Sequence, residues 1–330
     1  MRTFGIIGYG RFGKLWARHL ARLGPVLVYD KNPELIISGK NITRATLKQV
    51  CRAEFLFLLV PISKIEETAR EIKNYLLPHT IVADACSVKE YPLNVLKSTL
   101  QKNQPIIGTH PLFGPDSAGR AKTLKGFKIA VVPVKAAKTE LSKFINLLKN
   151  LQLTIFKTTA QNHDRQMASS QGLIHFIGRG LANLNLQPQD IATPDYLSLL
   201  HIRDMVVHDT WQLFLDMQKY NRFVKPIRKK YLFNLMHIAA ALGRQKKNVS
   251  NIRQQIDHLD EVIIKSIAER MTLAKKMGQV KRLQGLKVKD KSREMEIASK
   301  HDRLSRKAKL DPEEIAKIFN IVVAYSRKLQ

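Results

Sequence analysis

The sequence predicts an α/β domain with a parallel sheet, then an all-α domain, then a C-terminal domain of three helices. Three observations indicate this order. Strand-like and helix-like segments alternate over the first 160 residues, helical spacing alone follows, and a polar stretch around Gly243 precedes a last group of helices. At 330 residues the chain is long enough for several hydrophobic cores. We therefore expect domains at residues 1–160, 161–243 and 244–330.

The first domain opens with a glycine motif between two apolar strands. Gly8 makes a tight turn, Gly10 lets a pyrophosphate approach the backbone, and Gly13 lets the following helix pack closely. The second strand ends at Asp30, at the spacing where a carboxylate binds the ribose hydroxyls of a dinucleotide. That carboxylate repels a 2′-phosphate, whereas Lys31 beside it would attract one. The pattern predicts a Rossmann domain that uses NAD.

Two polar motifs follow later strands of the same sheet, at the edge where open parallel sheets bind ligands. They are DACSVK, residues 84–89, and GTHPLFGPDS, residues 108–117. His110 ends a strand on the cofactor side, where a histidine can act as the general base toward a hydroxyl group. Its spacing alone is explained equally well by a structural loop histidine.

These motifs closely resemble those of prephenate and arogenate dehydrogenases. HPLFGPDS is similar to the family's histidine motif, DACSVK to its aspartate–serine–lysine element, and HDRQMASSQGLIHF to the start of its helical domain. The resemblance extends to about residue 240 and implies oxidative decarboxylation of prephenate with NAD. It implies that His110 takes the proton of the substrate hydroxyl and that Ser87 bridges this hydroxyl and the nicotinamide. Asp116 is then an acid that shapes the pocket, and His175 reaches the pyruvyl side chain.

One position departs from that family. Many bacterial members hold the ring carboxylate with an arginine on a later helix, but here the position is Asp204 or Met205. Arg203 is adjacent and out of register, so it is either an anchor for the carboxylate or a surface residue. This stretch is more similar to archaeal and plant members, and plant members use arogenate. An arogenate-preferring dehydrogenase is therefore the alternative.

The C-terminal segment begins with a long amphipathic pattern. Ser250 or Asn251 can cap a helix of roughly 30 residues whose apolar positions recur at helical spacing. These apolar positions are Ile256, Leu259, Ile263, Ile267, Ala274, Met277 and Val280. Such a helix cannot bury its apolar stripe alone, so we expect it to pack on the shorter helices that follow or on a second chain.

Charged residues of this segment fall on shared helix faces. Arg270 and Lys281 are about three turns apart on the long helix. Arg253 lies about 25 Å before Arg270 along the axis, so one helix cannot bring both to one small molecule, whereas two antiparallel copies can. Five more polar residues share faces of the two later helices: Asp290, Arg293, Glu294, Ser326 and Gln330.

The whole set, in the motifs IRxxID, AER, GxxK, DxxRE and SxxxQ, closely resembles the all-helical class of chorismate mutase over residues 250–330. That class rearranges chorismate to prephenate. The resemblance implies that Arg270 and Lys281 hold a carboxylate and the ether oxygen. It implies that Gln330 hydrogen-bonds the ether oxygen and that Arg253 comes from the other subunit of a homodimer to hold the second carboxylate.

The same resemblance assigns supporting roles. Arg293 supports the site, and Asp290 and Glu294 bind the substrate hydroxyl or orient their neighbours. Ser326 belongs to the substrate-binding set. The two resemblances together imply a bifunctional enzyme of tyrosine biosynthesis, in which the product of the last domain is the substrate of the first. A tail that regulates or binds without catalysis is the alternative.

Composition limits the remaining function classes. The net charge is +29, but residues 246–330 carry 21 Lys/Arg and 11 Asp/Glu and the rest of the chain 35 and 16, so no basic arm is present. No zinc-knuckle or helix-turn-helix pattern occurs either, and we expect no specific nucleic-acid partner. The longest apolar run is far too short for a membrane span, the N-terminus shows no signal-peptide pattern, and Cys51 and Cys86 have no metal spacing. We expect a cytoplasmic enzyme without a metal or a membrane partner.

Overall fold

The computed structural model describes residues 2–242, 249–285 and 291–329. The chain divides into two compact units, Met1–Leu235 and Met236–Gln330. The division between the units falls inside a helix and does not test the domain bounds at residues 160 and 243, which remain predictions. The expected cap is wrong, because the long helix begins at Val249 and therefore already includes Ser250 and Asn251.

Eight strands form one sheet in the order β3-β2-β1-β4-β5-β6-β7-β8. All neighbours are parallel except β6 and β7, which are antiparallel. The strands are β1 (Phe4–Ile7), β2 (Val26–Tyr29), β3 (Ile42–Arg44), β4 (Phe55–Leu58), β5 (Ile81–Asp84), β6 (Ile106–Pro111), β7 (Lys128–Lys135) and β8 (Thr154–Lys157). The order reverses direction between β1 and β4, which is the point where such sheets bind a dinucleotide. This topology confirms the predicted Rossmann domain.

Helices connect the strands and then continue without strands. The connecting helices are α1 (Arg11–Leu20), α2 (Leu47–Val50), α3 (Ile65–Ile72), α4 (Glu90–Thr99), α5 (Pro115–Ala118) and α6 (Lys138–Asn150). The helical part comprises α7 (Ala160–Met167), α8 (Ile174–Ala182), α9 (Pro194–Val207), α10 (Trp211–Tyr220) and α11 (Val224–Leu242), with a π-helical segment at Ala168–Leu173. The expected change from alternating to purely helical structure is therefore confirmed.

The core of the first unit lies on both faces of the sheet. Along β4, Phe55 and Phe57 pack into one cluster with Trp16 of α1, and the alternate residues Leu56 and Leu58 pack into the other. Successive side chains of a strand point to opposite faces, so a fully apolar strand fits a sheet covered on both sides. The sequence FLFL is apolar throughout for this reason.

The second unit contains three long helices within its described residues. They are α12 (Val249–Leu283), α13 (Lys291–Lys307) and α14 (Pro312–Lys328), and α14 packs against both others. The expected long helix is confirmed and spans 35 residues. Much of its apolar stripe is exposed: Ile263 is 54% exposed and Met277 52%. None of the helices in the described ranges is long and apolar enough to cross a membrane.

Two glycines of the first loop should differ in their tolerance of the same added methyl group. A Cβ at Gly13 would lie 2.3 Å from the carbonyl oxygen of Gly8, whereas no heavy atom lies within 4 Å of a Cβ at Gly10. We expect Gly13→Ala to destabilise the protein by about 1–3 kcal/mol through overpacking. Gly10→Ala is the matched control and should keep the wild-type melting temperature. Equal melting temperatures of the two variants in a thermal unfolding measurement would contradict the close packing of this loop.

Candidate active sites

The loop between β1 and α1 is shaped to accept a phosphate group. Gly8 has φ +100°, and a Cβ there would lie 2.4 Å from the carbonyl oxygen of Leu59. Gly10 is the N-cap residue of α1 and has open space on its Cβ side. The free N–H groups of a helix N-terminus, reached through a glycine without a side chain, form a binding site for a pyrophosphate. The residues present therefore fit a dinucleotide.

Asp30 follows β2 and is oriented by the backbone around it. Its carboxylate accepts the N–H of Tyr9 at 2.6 Å and a second backbone N–H, two residues further along, at 2.9 Å. Lys31 is engaged elsewhere, because its Nζ pairs with Glu67 and Glu71 of α3. The cation beside Asp30 is thus already paired with two carboxylates, which disfavours binding of the 2′-phosphate of NADP.

His110 lies at the C-terminal end of β6 and is 4% exposed. Its Nδ1 lies 2.9 Å from Nε2 of His163, whose Nδ1 lies 2.8 Å from a carboxylate oxygen of Asp164. Burial lowers the pKa of His110 well below its usual value, and the nearby His163 and Lys89 lower it further. The pKa of His163 is also lowered by burial, an effect that Asp164 opposes. The structure therefore places a neutral histidine at the strand end where the sequence predicts a base.

A buried ionic network supports this histidine. Lys89 is fully buried, and its Nζ donates to the carboxylate of Asp84 and, at 2.5 Å, to the carbonyl oxygen of Thr109. The backbone N–H groups of Lys89 and Glu90, at the start of α4, donate to the two carboxylate oxygens of Asp164 at 2.7 and 2.9 Å. The DACSVK segment is thereby tied to the strand residue just before His110 and to helix α7.

Ser87 and Asp116 occupy loops at the same end of the sheet. Ser87 is half-buried between β5 and α4. Asp116 is exposed on α5 and pairs with the guanidinium group of Arg11, which also donates at 2.8 Å to the carbonyl oxygen of His208. Arg11 directly follows Gly10, so Asp116 lies beside the loop that fits the dinucleotide. The roles of Ser87 and Asp116 toward a substrate remain predictions.

His175 is buried on α8, one helical turn before Arg179. Its Nε2 lies 3.8 Å from a carboxylate oxygen of Asp209, and its Nδ1 has no hydrogen-bond partner in the described part of the chain. Burial, together with the charge of Arg179, lowers the pKa of His175 to about 4. The guanidinium group of Arg179 stacks on the ring of Trp211 at 5.4 Å. These groups form a second polar cluster in the helical part.

Arg203 is already held by its own surroundings. Its guanidinium group donates to the carbonyl oxygen of Leu186 and pairs with Asp204 at 2.6 Å. This arrangement favours a structural role over that of a carboxylate anchor.

The contacts of the folded chain add four candidate residues that no sequence motif singles out: His163, Asp164, Arg11 and Arg179. The dipeptide His163–Asp164 was visible inside the HDRQM motif, but only the folded chain brings it to His110. Arg11 is signalled by its place directly after the glycine loop. Arg179 has a weaker signal, its spacing of one helical turn from His175.

In the second unit the structure brings two predicted residues together. Arg270 of α12 donates to the hydroxyl oxygen of Ser326 and, at 3.2 Å, to the carbonyl oxygen of Val322 on α14. Ser326 is buried, so this contact joins the two helices inside the bundle. Lys281 lies further along the same helix, and Arg253 is exposed near its start. The separation of Arg253 and Arg270 on one continuous helix is thus as expected.

The remaining residues predicted for a mutase site are only partly described. Glu294 lies 3.4 Å from Arg327 and lines a groove of about 670 Å³ between α13 and α14. Arg293 pairs with Glu296 at 2.5 Å. Asp290 and Gln330 lie outside the described residues. Across the described ranges, no group of three or more His, Cys, Asp or Glu side chains could hold a metal ion.

Three family descriptions match this chain. "Prephenate dehydrogenase, nucleotide-binding domain" matches residues 17–157, "TYRAAT1-like, C-terminal domain" matches residues 180–256, and "Chorismate mutase type II" matches residues 252–330. The first covers most of the sheet and the last covers the three helices of the second unit.

Similar proteins agree with these matches. A "Probable arogenate/prephenate dehydrogenase" of Methanocaldococcus jannaschii is 27% identical over 248 residues, 70% of this chain and 54% of that protein. The chorismate mutase of the same organism is 33% identical over 84 residues, 26% of this chain and 85% of that protein.

The crystal structure of prephenate dehydrogenase from A. aeolicus has a TM-score of 0.58 at 20% identity, over 81% of this chain and 98% of its own, which shows a shared fold. This chain spans about half the length of the dehydrogenases it matches. Residues 252–330 belong to the type II chorismate mutase family, and residues 17–157 match the nucleotide-binding domain of prephenate dehydrogenase.

Proposed function

We propose that this chain rearranges chorismate to prephenate and then oxidises and decarboxylates prephenate to 4-hydroxyphenylpyruvate with NAD. The observation that carries the dehydrogenase reaction is the buried, neutral His110 at the end of β6, on the same sheet edge as the dinucleotide loop. Asp30 and the engaged Lys31 support NAD, and the A. aeolicus structure is a complex with NAD+. The two reactions are consecutive, which explains two enzyme domains in one chain.

The dehydrogenase reaction needs a base and a rigid substrate geometry. A nicotinamide cofactor held by the glycine loop and Asp30 would supply the acceptor for the hydride at C4 of prephenate. His110 takes the proton of the C4 hydroxyl, the ring carboxylate leaves as CO₂, and the proton returns to the oxygen of the aromatic product. The helical cluster of His175 and Arg179 offers a buried imidazole and a cation for the carboxylates of the substrate. Enclosed polar groups hold a ligand in one orientation, which lowers the entropic part of the barrier.

The mutase reaction is a rearrangement that requires no nucleophile. The protein must hold the reactive conformer of chorismate and stabilise negative charge that grows on the ether oxygen. Arg270 and Lys281 are the cations for this task, and Ser326 fixes the side chain of Arg270 from the neighbouring helix. Arg253 would be supplied by a second copy of the chain.

An arogenate-preferring dehydrogenase is the second candidate. It is favoured by the absence of an arginine at the position where many family members bind the ring carboxylate. That position is acidic or apolar here, and the adjacent Arg203 is held by Leu186 and Asp204. The M. jannaschii relative is also named for both substrates. The ratio of kcat/KM for prephenate and arogenate, measured with one enzyme preparation, separates the two candidates.

The direct test supplies chorismate and NAD to the purified protein. We expect 4-hydroxyphenylpyruvate and NADH to form in equal amounts. NADH formation from prephenate but not from chorismate would leave the dehydrogenase and reject a catalytic mutase, as in the alternative of a regulatory tail. No NADH from prephenate or arogenate would reject the proposed oxidoreductase function.

Replacement of His110 tests the base. His110→Asn should lower dehydrogenase turnover about 10²–10⁴-fold, the usual contribution of a positioned general base. Affinity for NAD and mutase activity should be almost unchanged, since β4 and β5 separate the strand of His110 from the strand that precedes the glycine loop. The matched control is His79→Asn, at an exposed loop histidine. Wild-type turnover in His110→Asn would exclude this residue as the base.

Replacement of Asp30 tests the cofactor preference. Asp30→Ser should reduce the discrimination against NADP, because the carboxylate that repels a 2′-phosphate is lost. The ratio of kcat/KM for NAD and NADP measures this change, and Glu34→Ala, an exposed acid of the same loop, is the control. A wild-type enzyme that already prefers NADP would overturn the assignment of Asp30 and direct attention to Lys31.

A homodimer with shared mutase sites follows from the long helix. Arg253 and Arg270 are 17 residues apart on α12, about 25 Å, and much of the apolar stripe of α12 is exposed in one chain. Two antiparallel copies of α12 would cover the stripe and bring Arg253 of one copy to Arg270 of the other.

Subunit exchange tests this arrangement. Arg253→Ala and Arg270→Ala should each abolish mutase activity, while Arg303→Ala, at an exposed arginine of α13, should not. Mixing the two inactive variants should restore up to about a quarter of wild-type activity, since half the dimers are mixed and each has one intact site. Proven subunit exchange without recovered activity would refute the shared site.

A further inference from the structure

We propose that His163 and Asp164 act as positioning residues that set which nitrogen of His110 carries the proton. The inference rests on the proposed dehydrogenase function and concerns residues to which the sequence assigned no role. Its basis is an unbroken chain of side-chain contacts, from Asp164 to Nδ1 of His163 at 2.8 Å and from Nε2 of His163 to Nδ1 of His110 at 2.9 Å.

The direction of each hydrogen bond follows from the end of this chain. A carboxylate only accepts hydrogen bonds, so Nδ1 of His163 must donate to Asp164. A neutral imidazole carries one proton, which leaves Nε2 of His163 as an acceptor. Nδ1 of His110 must therefore donate to it. The remaining nitrogen of His110, Nε2, then bears a free electron pair for the proton of the substrate hydroxyl.

Both histidines are neutral at physiological pH. His110 is 4% exposed and His163 3%, and this burial lowers the pKa of each ring. The charged groups that face them are Asp164 on α7 and the buried pair of Lys89 and Asp84 on the α4 side. Lys89 lowers the pKa of both rings, whereas Asp164 and Asp84 raise that of His163, so the favourable charge nearest to the pair is that of Asp164.

Asp164 is itself held in place by two backbone donors. The N–H groups of Lys89 and Glu90 at the N-terminus of α4 donate to its two oxygens, and a helix N-terminus favours a negative charge. When His110 takes the hydroxyl proton at Nε2, it becomes an imidazolium ion whose Nδ1–H still donates to His163. The carboxylate of Asp164, one ring further away, stabilises this positive charge. No proton has to pass from His163 to Asp164 in this step.

The test compares two replacements of His163. His163→Leu removes the acceptor for Nδ1–H, and we expect turnover with prephenate and NAD to fall roughly 10²-fold, within the range of a lost general base. His163→Gln retains an amide oxygen that can accept the same proton and should keep turnover within about tenfold of wild type. The KM values for prephenate and NAD should change little in both variants, because the lost effect belongs to the transition state.

A double-mutant cycle separates positioning from a general structural effect. In the background of His110→Asn, His163→Leu should cause almost no further loss, since it acts only through His110. His19→Leu, at another buried histidine of the same unit, is the control and should leave turnover near the wild-type level. Any loss of turnover caused by His19→Leu should add fully to the loss caused by His110→Asn in the double variant.

Each outcome decides the inference. Full turnover in His163→Leu, equal losses in His163→Leu and His163→Gln, or additive losses with His110→Asn would overturn the positioning role while wild-type activity stands. A wild-type protein that forms no NADH from prephenate or arogenate would instead reject the proposed function on which the inference rests.

Discussion

The proposed dehydrogenase site depends on the hydrogen bonds of the buried carboxylate of Asp164. This carboxylate accepts two N–H groups from the start of α4 and holds the ring of His163, and Asn221 donates at 2.8 Å to the backbone carbonyl oxygen of Asp164. The start of α4, the first helix of the helical part and the loop before α11 therefore meet at one residue. A buried charge is costly unless it is paired or hydrogen-bonded, and both carboxylate oxygens of Asp164 accept hydrogen bonds. The position of His110 is thus set by tertiary contacts as well as by its strand.

Local rules predicted most of the fold and part of the site. The glycine loop, Asp30 and His110 could be read from the sequence because each lies at a fixed offset from a strand end, and strand ends of a parallel sheet share one edge. The relation of His163 to His110 could not, because the two residues are 53 positions apart and meet only after α7 has packed on the sheet. The same limit applies to Arg11 and Asp116, whose contact joins α1 to α5. The start of α12 also differs from the prediction, since Ser and Asn favour the N-cap position but are tolerated inside a helix.

In the second unit, helical periodicity predicted which residues share a face but not how the faces pair. It correctly predicted a continuous helix that carries both Arg253 and Arg270. It did not predict that the hydroxyl group of Ser326 would receive the guanidinium group of Arg270, because this requires the register of α14 against α12. Periodicity describes one helix at a time, whereas a binding site in a helical bundle depends on the relative rotation of several helices.

The buried pair of Lys89 and Asp84 also constrains how this protein can change over generations. Loss of one partner leaves an unpaired buried charge, which costs about 3–5 kcal/mol. That is a large share of the total stability of about 5–15 kcal/mol typical of a folded protein. Evolution can therefore keep both residues or replace both, but a protein with only one of the two replaced is much less stable. Since Nζ of Lys89 also donates to the carbonyl group that precedes His110, this barrier also restricts change at the strand end that carries the proposed base.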